Sequence, residues 1–308
     1  MVSKSNTPLL KVLNLSLIFC SRPDVKVLGD LSFSIDSGET LALVGESGSG
    51  KSLTALSISR LLPHGARIIG GSVNLDNVDL FGLTEFEMMR YRGNKVGMIF
   101  QEAQAALNPV ISVGQQIEES IRVNDKKISK NKIRTDAIQL MNSVGIKDSA
   151  ERFFDYPHQF SGGMRQRVII AIALAAKPKL LIADEPTTSL DVTVQKKILN
   201  VIKKIQRRES SALLFITHDL AVACEIADKI LVMKEGKIVE HGTVEDFIKN
   251  PSHEYTKKLM ESLPSWSRRV AEGRAKNVRS FEETLEVQNL KVWYPIKRGF
   301  LKRVKGYV

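Results

Sequence analysis

The run Gly45-Glu46-Ser47-Gly48-Ser49-Gly50-Lys51-Ser52 satisfies the pattern GxxxxGK[ST]. It stands where such a loop has to stand, between an apolar stretch, Glu39 to Gly45, that reads as a buried strand and a segment, Lys51 to Leu62, that reads as a helix stopped by Pro63. Glycines let successive backbone N–H groups converge on phosphate oxygens, and the start of the helix adds a favourable field for negative charge. Lys51 is placed to reach the terminal phosphates, Ser52 to ligate magnesium, and Leu53 lies next to them in the cradle. A glycine turn with no ligand is the bland alternative, and the flanking strand and helix argue against it.

The second half of such a site is an acidic residue at the end of another hydrophobic strand. Leu180-Leu-Ile-Ala-Asp184-Glu185 supplies two. Asp184 would hold magnesium, directly or through water, and Glu185 would accept a proton from the attacking water. An apolar strand ending in acidic residues also occurs as a simple turn; the loop 133 residues upstream at Lys51 makes the chemical reading the stronger one. Two further polar residues end strands where a γ-phosphate sensor could stand, Gln101 after Val96-Gly-Met-Ile-Phe100 and His218 after Leu214-Phe-Ile-Thr217. Singly each would be read as structural. Several strand ends converging on one edge of a parallel sheet reverse that reading. The other histidines, His64, His158, His241 and His253, have no metal-ligand spacing.

The order of elements supports a parallel sheet. Lys179 to Ala183 and Ala212 to Thr217 are β-rich runs on either side of a helical stretch, Val192 to Arg208, which is β-α-β alternation. Residues 9 to 36 alternate in short β-like stretches, and Ala103 to Ala176 looks like a helical insertion followed by a core helix. In front of that helix, Ser161-Gly162-Gly163 offers a cap and a glycine backbone that an anion can approach. Ile230 to Glu240 reads as a hairpin around Glu235 and Gly236. Thr243 with Asp246 resembles a capping box, and another helix covers His253 to Ser262. Residues 264–283 have few large apolar groups and many charges, the makings of a linker. After them Leu285-Glu-Val287-Gln-Asn289-Leu290-Lys-Val-Trp-Tyr294 matches Leu10-Lys-Val12-Leu-Asn14-Leu15-Ser-Leu-Ile-Phe19 at four of ten positions, at an offset of 275. The expected organisation is a complete unit over 1–263, a basic linker over 264–283 and the truncated start of a second copy over 284–308.

Charge and cysteine usage narrow the class. Of the net +11, the residues from Pro264 onward carry +7, with eleven Lys and Arg against four Glu, so the basicity belongs to the tail and is no nucleic-acid patch on the main unit. Cys20 and Cys224 are too few and too far apart for a disulfide framework, a CxxC zinc site or a cysteine-held iron–sulfur cluster, and a reducing cytoplasm fits. The longest unbroken apolar run, Val168 to Ala176, is far short of the ~20 residues of a membrane-crossing helix, and neither a span nor a signal peptide is expected.

These pieces in this order resemble the ATP-binding cassette (ABC) family over residues 9–263. Gly45 to Ser52 looks like its Walker A, Gln101 its Q-loop, Ser161 to Gln166 its signature, Leu180 to Glu185 its Walker B, Ser189-Leu-Asp191 its D-loop and His218 its switch histidine. Phe19 matches the aromatic that stacks on adenine. Val44 to Ser52, Ala106-Leu-Asn-Pro109, Tyr156 to Arg167 and His253-Glu-Tyr-Thr256 look like the ATPases of oligopeptide and dipeptide importers, with Met164 in place of the general signature's glutamine. The tail Trp293 to Arg303 resembles the opening of the partner ATPase of the same importers, so the arrangement is similar to fused two-cassette members such as those of microcin C type peptide importers. No cysteine follows Cys224, and the iron–sulfur extension of many single-cassette relatives is not expected.

The resemblance implies an α/β fold: a P-loop NTPase core of mostly parallel sheet, with an antiparallel β subdomain and a helical subdomain. It implies ATP and Mg2+ as ligands, with Ser52, Gln101 and Asp184 toward the metal, and Lys51, Gln101, Glu185 and His218 acting on the nucleotide. Ser161, Gly162 and Gly163 would cover the nucleotide of a second ABC cassette, fused or separate. It further implies two membrane permease subunits as partners, a periplasmic or extracellular solute-binding protein indirectly, no nucleic acid, and a peripheral place on the cytoplasmic face of the inner (plasma) membrane. The segment near Gln101 to Gly114 would be the permease-docking surface. The competing reading is a soluble two-cassette ATPase acting on ribosomes or nucleic acid. The long charged linker, coiled coil or zinc insertion of such proteins is not visible, Gln101 to Ser161 spanning only 60 residues.

Overall fold

The computed structural model describes residues 7–101, 106–124, 127–187, 192–261, 295–298 and 303–307. The expectations placed on Ser189–Asp191, on the linker, on the repeat Leu285–Tyr294 and on part of the Gln101–Gly114 surface lie outside these residues. The chain divides into two compact units, Met1–Pro264 and Ser265–Val308.

In the first unit, strands β1 (Leu10–Phe19), β2 (Arg22–Ile35), β4 (Ala66–Leu75) and β5 (Val78–Asp79) form an antiparallel sheet in the order β2-β1-β4-β5. A six-stranded sheet runs β10-β9-β3-β8-β7-β6, built from β3 (Thr40–Val44), β6 (Val96–Ile99), β7 (Leu180–Asp184), β8 (Ala212–Thr217), β9 (Lys229–Lys234) and β10 (Lys237–Thr243). All neighbouring pairs in it are parallel except β9 with β10. Strands β3, β7 and β8 are buried at every residue, as strands covered on both faces must be, which is why they read as unbroken apolar runs. Because these strands run in parallel, the residues after Val44, Ile99, Asp184 and Thr217 emerge along one edge.

A second apolar core is helical. The helix Gly162–Ala175 is buried over its C-terminal half, from Val168 to Ala175 with Ile172 half-buried, and packs with the helices Val113–Asn124 and Lys130–Ser143. That half is apolar on all sides and has to be covered on all sides, and the helix joins the helical layer to β6.

The structure matches the strong local signals of the sequence. The hairpin β9–β10 turns at Glu235 (φ 49°) and Gly236 (φ 76°), both in the left-handed region that a tight two-residue turn requires. Thr243 and Asp246 form a reciprocal capping box. The helix after the glycine loop is shorter than expected, Lys51–Ile58, and Pro63 is not what ends it. Arg60 takes φ 52°, and the amides of Arg60 and Leu61 return to the carbonyls of Ser57 and Leu56, which closes a Schellman turn. Arg60 holds that conformation because its guanidinium donates to the carbonyls of Leu80 and Leu83.

In the second unit, β11 (Pro295–Arg298) and β12 (Arg303–Tyr307) pair as an antiparallel hairpin.

Candidate active site

The glycine loop joins β3 to the helix Lys51–Ile58, and its glycines are there for different reasons. A Cβ on Gly45 would lie 2.3 Å from the carbonyl oxygen of Met233 in β9, so only glycine lets the two backbones approach. Gly50 has φ 100°, and a Cβ there would also lie 2.7 Å from Leu28. Gly48 faces open space but has φ 81°. The β9–β10 turn braces the loop, with Gly236 N–H donating to the carbonyl of Ser49 at 3.0 Å. Glu46, Ser47 and Gly48 are exposed, while Ser49, Gly50 and Lys51 are buried.

Lys51 donates through Nζ to the carbonyl oxygens of Gly45 and Glu46, both at 2.7 Å, and lies 3.4 Å from Ser49 Oγ. Burial pushes its pKa down, against the pull of the carboxylates of Glu185, Asp184 and Glu46. Asp184 ends β7 and is 4% exposed. Burial pushes its carboxyl up and a bond from the Ser52 hydroxyl draws it down, with Glu185 raising it and Lys51 lowering it. Its Oδ1 is buried without a hydrogen-bond partner among the described residues. A buried carboxylate oxygen left over beside a serine hydroxyl is a donor set that suits a hard divalent cation, so Asp184 and Ser52 fit magnesium.

Glu185 continues the strand edge but not the strand. Its N–H donates to Ile216 O at 3.0 Å, and its φ of 46° turns the chain out of the sheet. A non-glycine residue in that region is uncommon and costs about 1–3 kcal/mol. The turn brings the carboxylate between two expected partners: Gln101 Nε2 donates to Oε2 at 3.1 Å, and His218 Nδ1 lies 3.2 Å from Oε1. The side chain of Glu185 is 12% exposed and that of His218 57%. His218 is set by the next residues, because Asp219 N–H donates to Thr217 Oγ1 and the Asp219 carboxylate caps the helix Leu220–Ile226. The structure thus brings Lys51, Ser52, Asp184, Glu185, Gln101 and His218 to one sheet edge.

Ser161 caps the helix Gly162–Ala175 by accepting from Met164 N. Among the described residues no hydrogen bond joins Ser161, Gly162 or Gly163 to the glycine loop. Phe19 is half-buried at the end of β1, where the β1–β2 hairpin turns. Leu53 is partly buried against the apolar core beneath the loop.

Two residues without an assigned role in the sequence reading matter to this geometry. Gln166, 1% exposed, donates through Nε2 to Pro186 O at 3.1 Å and lies 3.4 Å from Phe100 O. It therefore ties the helix that begins at Ser161 to the backbone beside both Glu185 and Gln101. Tyr255 meets the glycine loop at Glu46. Both sit inside recognisable stretches, but nothing in their local spacing announces the contact.

The family model described as ABC transporter matches residues 28–188, and the one described as oligopeptide/dipeptide transporter, C-terminal region, matches residues 239–286. The chain is 46% identical over 258 residues to the oligopeptide transport ATP-binding protein AppD of Bacillus subtilis (strain 168), covering 83% of this chain and 78% of that protein. It is 46% identical over 257 residues to the dipeptide transport ATP-binding protein DppD of Lactococcus lactis subsp. cremoris (strain MG1363), covering 83% and 74%. Among solved structures it resembles a dimeric ATP-binding cassette in a post-hydrolysis state bound to ADP and Pi, with a TM-score of 0.69, 27% identity and coverage of 76% of this chain and 98% of that one. No helix among the described residues is long and apolar enough to cross a membrane. With the phosphate loop, the acidic strand end and the two polar strand ends on one edge, and with these matches along its length, the chain belongs to the ABC transporter family, in the group that carries the oligopeptide/dipeptide transporter C-terminal region.

Proposed function

We infer that this cassette binds and hydrolyses ATP and that the hydrolysis energises import of peptides, of the oligopeptide or dipeptide kind, through membrane permeases. The observation that carries the enzymatic part is the Glu185 carboxylate, held between Gln101 and His218 on the edge from which Lys51 and the glycine loop also emerge. The peptide part rests on the relatives' names and on the C-terminal match.

In this reading the backbone amides of Glu46 to Leu53 cradle the phosphates. Lys51 leaves the carbonyls of Gly45 and Glu46 to pair with the terminal phosphates, and Phe19 stacks on the base. Ser52, Asp184 and Gln101 would hold Mg2+, which would neutralise charge developing on the phosphates. Glu185 orients the attacking water and takes its proton, while His218 and Gln101 fix the carboxylate and respond to the γ-phosphate. Ser161, Gly162 and Gly163 lie at a helix start, a place suited to the phosphates of a nucleotide held by a second cassette. That the related cassette is dimeric supports such a pairing. Closure of the two would move a pair of permeases, which receive solute from a binding protein outside, and would place the chain at the cytoplasmic face of the membrane.

The organisation we favour is a nucleotide-binding domain over 1–263, a linker over 264–283 and the opening of a second cassette over 284–308. The repeat at an offset of 275 supports it. Reconstitution with the cognate permeases tests the function: peptide-loaded binding protein should stimulate ATP hydrolysis. Stimulation by ribosomes or nucleic acid instead, with none by permeases, would contradict it.

A further inference from the structure

One peptide group behind the phosphate loop is held from both sides. The carbonyl of Gly45 accepts from Lys51 Nζ at 2.7 Å, and the N–H of the same peptide, contributed by Glu46, donates to the phenolic oxygen of Tyr255 at 2.9 Å. Tyr255 is 209 residues away in sequence and 7% exposed, with the Lys234 ammonium 5.4 Å over its ring.

The helix that carries it, Glu254–Glu261, is anchored independently of the loop. The Glu240 carboxylate of β10 accepts from Ser252 N–H at 2.7 Å, from Ser252 Oγ at 2.8 Å and from His253 N–H at 3.0 Å, and Tyr255 N–H donates to His253 Nδ1 at 3.1 Å. The hydroxyl is therefore presented from a fixed element. An amide whose N–H is bonded has a more strongly accepting carbonyl, so the Tyr255 contact strengthens the grip of Gly45 O on Lys51. Without the hydroxyl, the Glu46 N–H loses its partner. The loop then populates other arrangements that nucleotide binding has to reverse.

We propose that Tyr255 is a positioning residue of the nucleotide site: it fixes the Gly45–Glu46 peptide so that the phosphate loop and Lys51 are arranged before the triphosphate arrives. The proposal rests on reading Gly45–Ser52 as an ATP cradle. It couples the C-terminal segment to the nucleotide site through the loop, because any partner that shifts the helix Glu254–Glu261 changes the loop through one hydrogen bond.

The test is equilibrium binding of Mg-ATP, with steady-state hydrolysis, for the full chain and its Tyr255→Phe variant. Phenylalanine keeps the ring and its packing and removes only the hydroxyl. Affinity should fall about five- to thirty-fold with kcat at saturation within about two-fold. Glu254→Gln, an exposed neighbour on the same helix, should leave affinity unchanged. A lower melting temperature with unaltered ATP affinity would assign Tyr255 a purely structural role and overturn the proposal. Wild-type chain that fails to bind Mg-ATP would overturn the cradle reading itself. If the variant does not fold, amide exchange in the wild type decides: protection at Glu46 supports the contact, and exchange as fast as an open loop removes it.

Discussion

His218 stands with Nδ1 3.2 Å from Oε1 of Glu185, although the two residues leave different strands and are separated by a helix of eighteen residues, Val192–Glu209. Their meeting depends on the parallel pairing of β7 with β8, in which Asp184 is level with Ile216, and on the left-handed turn at Glu185 that lifts the carboxylate off the sheet. With Gln101 on its other oxygen, the carboxylate has a fixed orientation before any substrate is bound.

Glu185→Gln should therefore leave ATP binding within a few-fold of the parent while hydrolysis falls about 10²- to 10⁴-fold, the usual contribution of a general base. Phosphate release under saturating ATP measures it. Near-normal turnover would remove Glu185 from that role.

The buried amide of Gln166 is expected to matter for both stability and rate. Gln166→Leu keeps the volume but takes the donor away from Pro186 O, and leaves a buried carbonyl short of a bond, which costs about 1–3 kcal/mol. Urea denaturation should show that loss, and hydrolysis should slow because the backbone just after Glu185 and just before Gln101 is no longer held to the helix. A variant as stable and active as the parent would show that the contact is incidental.

The three loop glycines should respond unequally to alanine. At Gly45 the new methyl group meets backbone, Met233 O at 2.3 Å, which cannot step aside. At Gly48 it meets open space, and only the φ of 81° resists, a cost of about 1–2 kcal/mol. Gly45→Ala should therefore destabilise the chain more than Gly48→Ala, and Gly50→Ala, whose methyl group meets the side-chain ends of Leu28 at 2.7 Å and Met233 at 3.1 Å at a φ of 100°, should also cost more than Gly48→Ala. The order of the urea midpoints checks this, and equal midpoints for Gly45→Ala and Gly48→Ala would count against the close-approach argument.

Glu240 links the C-terminal helix to pH. Burial alone would raise its carboxyl, but the bonds it accepts around Ser252 and His253 outweigh that and hold it below the ordinary glutamate value of 4.5. A carboxyl depressed in the folded state contributes stability that is present above its unfolded pKa and lost as pH falls through its folded pKa. The parent should thus lose thermal stability below about pH 4.5 partly through this group, and Glu240→Gln should flatten that part of the profile. Identical acid profiles for both chains would exclude Glu240 as a contributor.

Much of this site could be read from the chain because its parts are local. The run from Thr40 to Ile58 announces itself through a fully buried strand, a glycine loop and a helix start, and Gln101, Asp184, Glu185 and His218 each follow a short apolar strand. What escaped is non-local. Strand β4 pairs with β1 across 47 to 65 residues, and its half-buried, glycine-containing sequence carries little strand signal of its own. The turn at Arg60 looked like helix because its stabilising partners, the carbonyls of Leu80 and Leu83, lie in a different part of the chain. The contact of Tyr255 with Glu46 is of the same kind: a tyrosine in a short helix gives no hint of which backbone its hydroxyl will meet.

The claim on which the rest depends is that Lys51 and the loop around it grip a triphosphate. Equilibrium binding of Mg-ATP to the parent chain and to Lys51→Ala, each checked for a cooperative melt, tests it most directly. The account predicts saturable binding to the parent and a loss of at least about ten-fold in the variant, since a charged hydrogen bond to phosphate is worth roughly 1.5–3 kcal/mol. Equal affinity of the two folded proteins for Mg-ATP would contradict it.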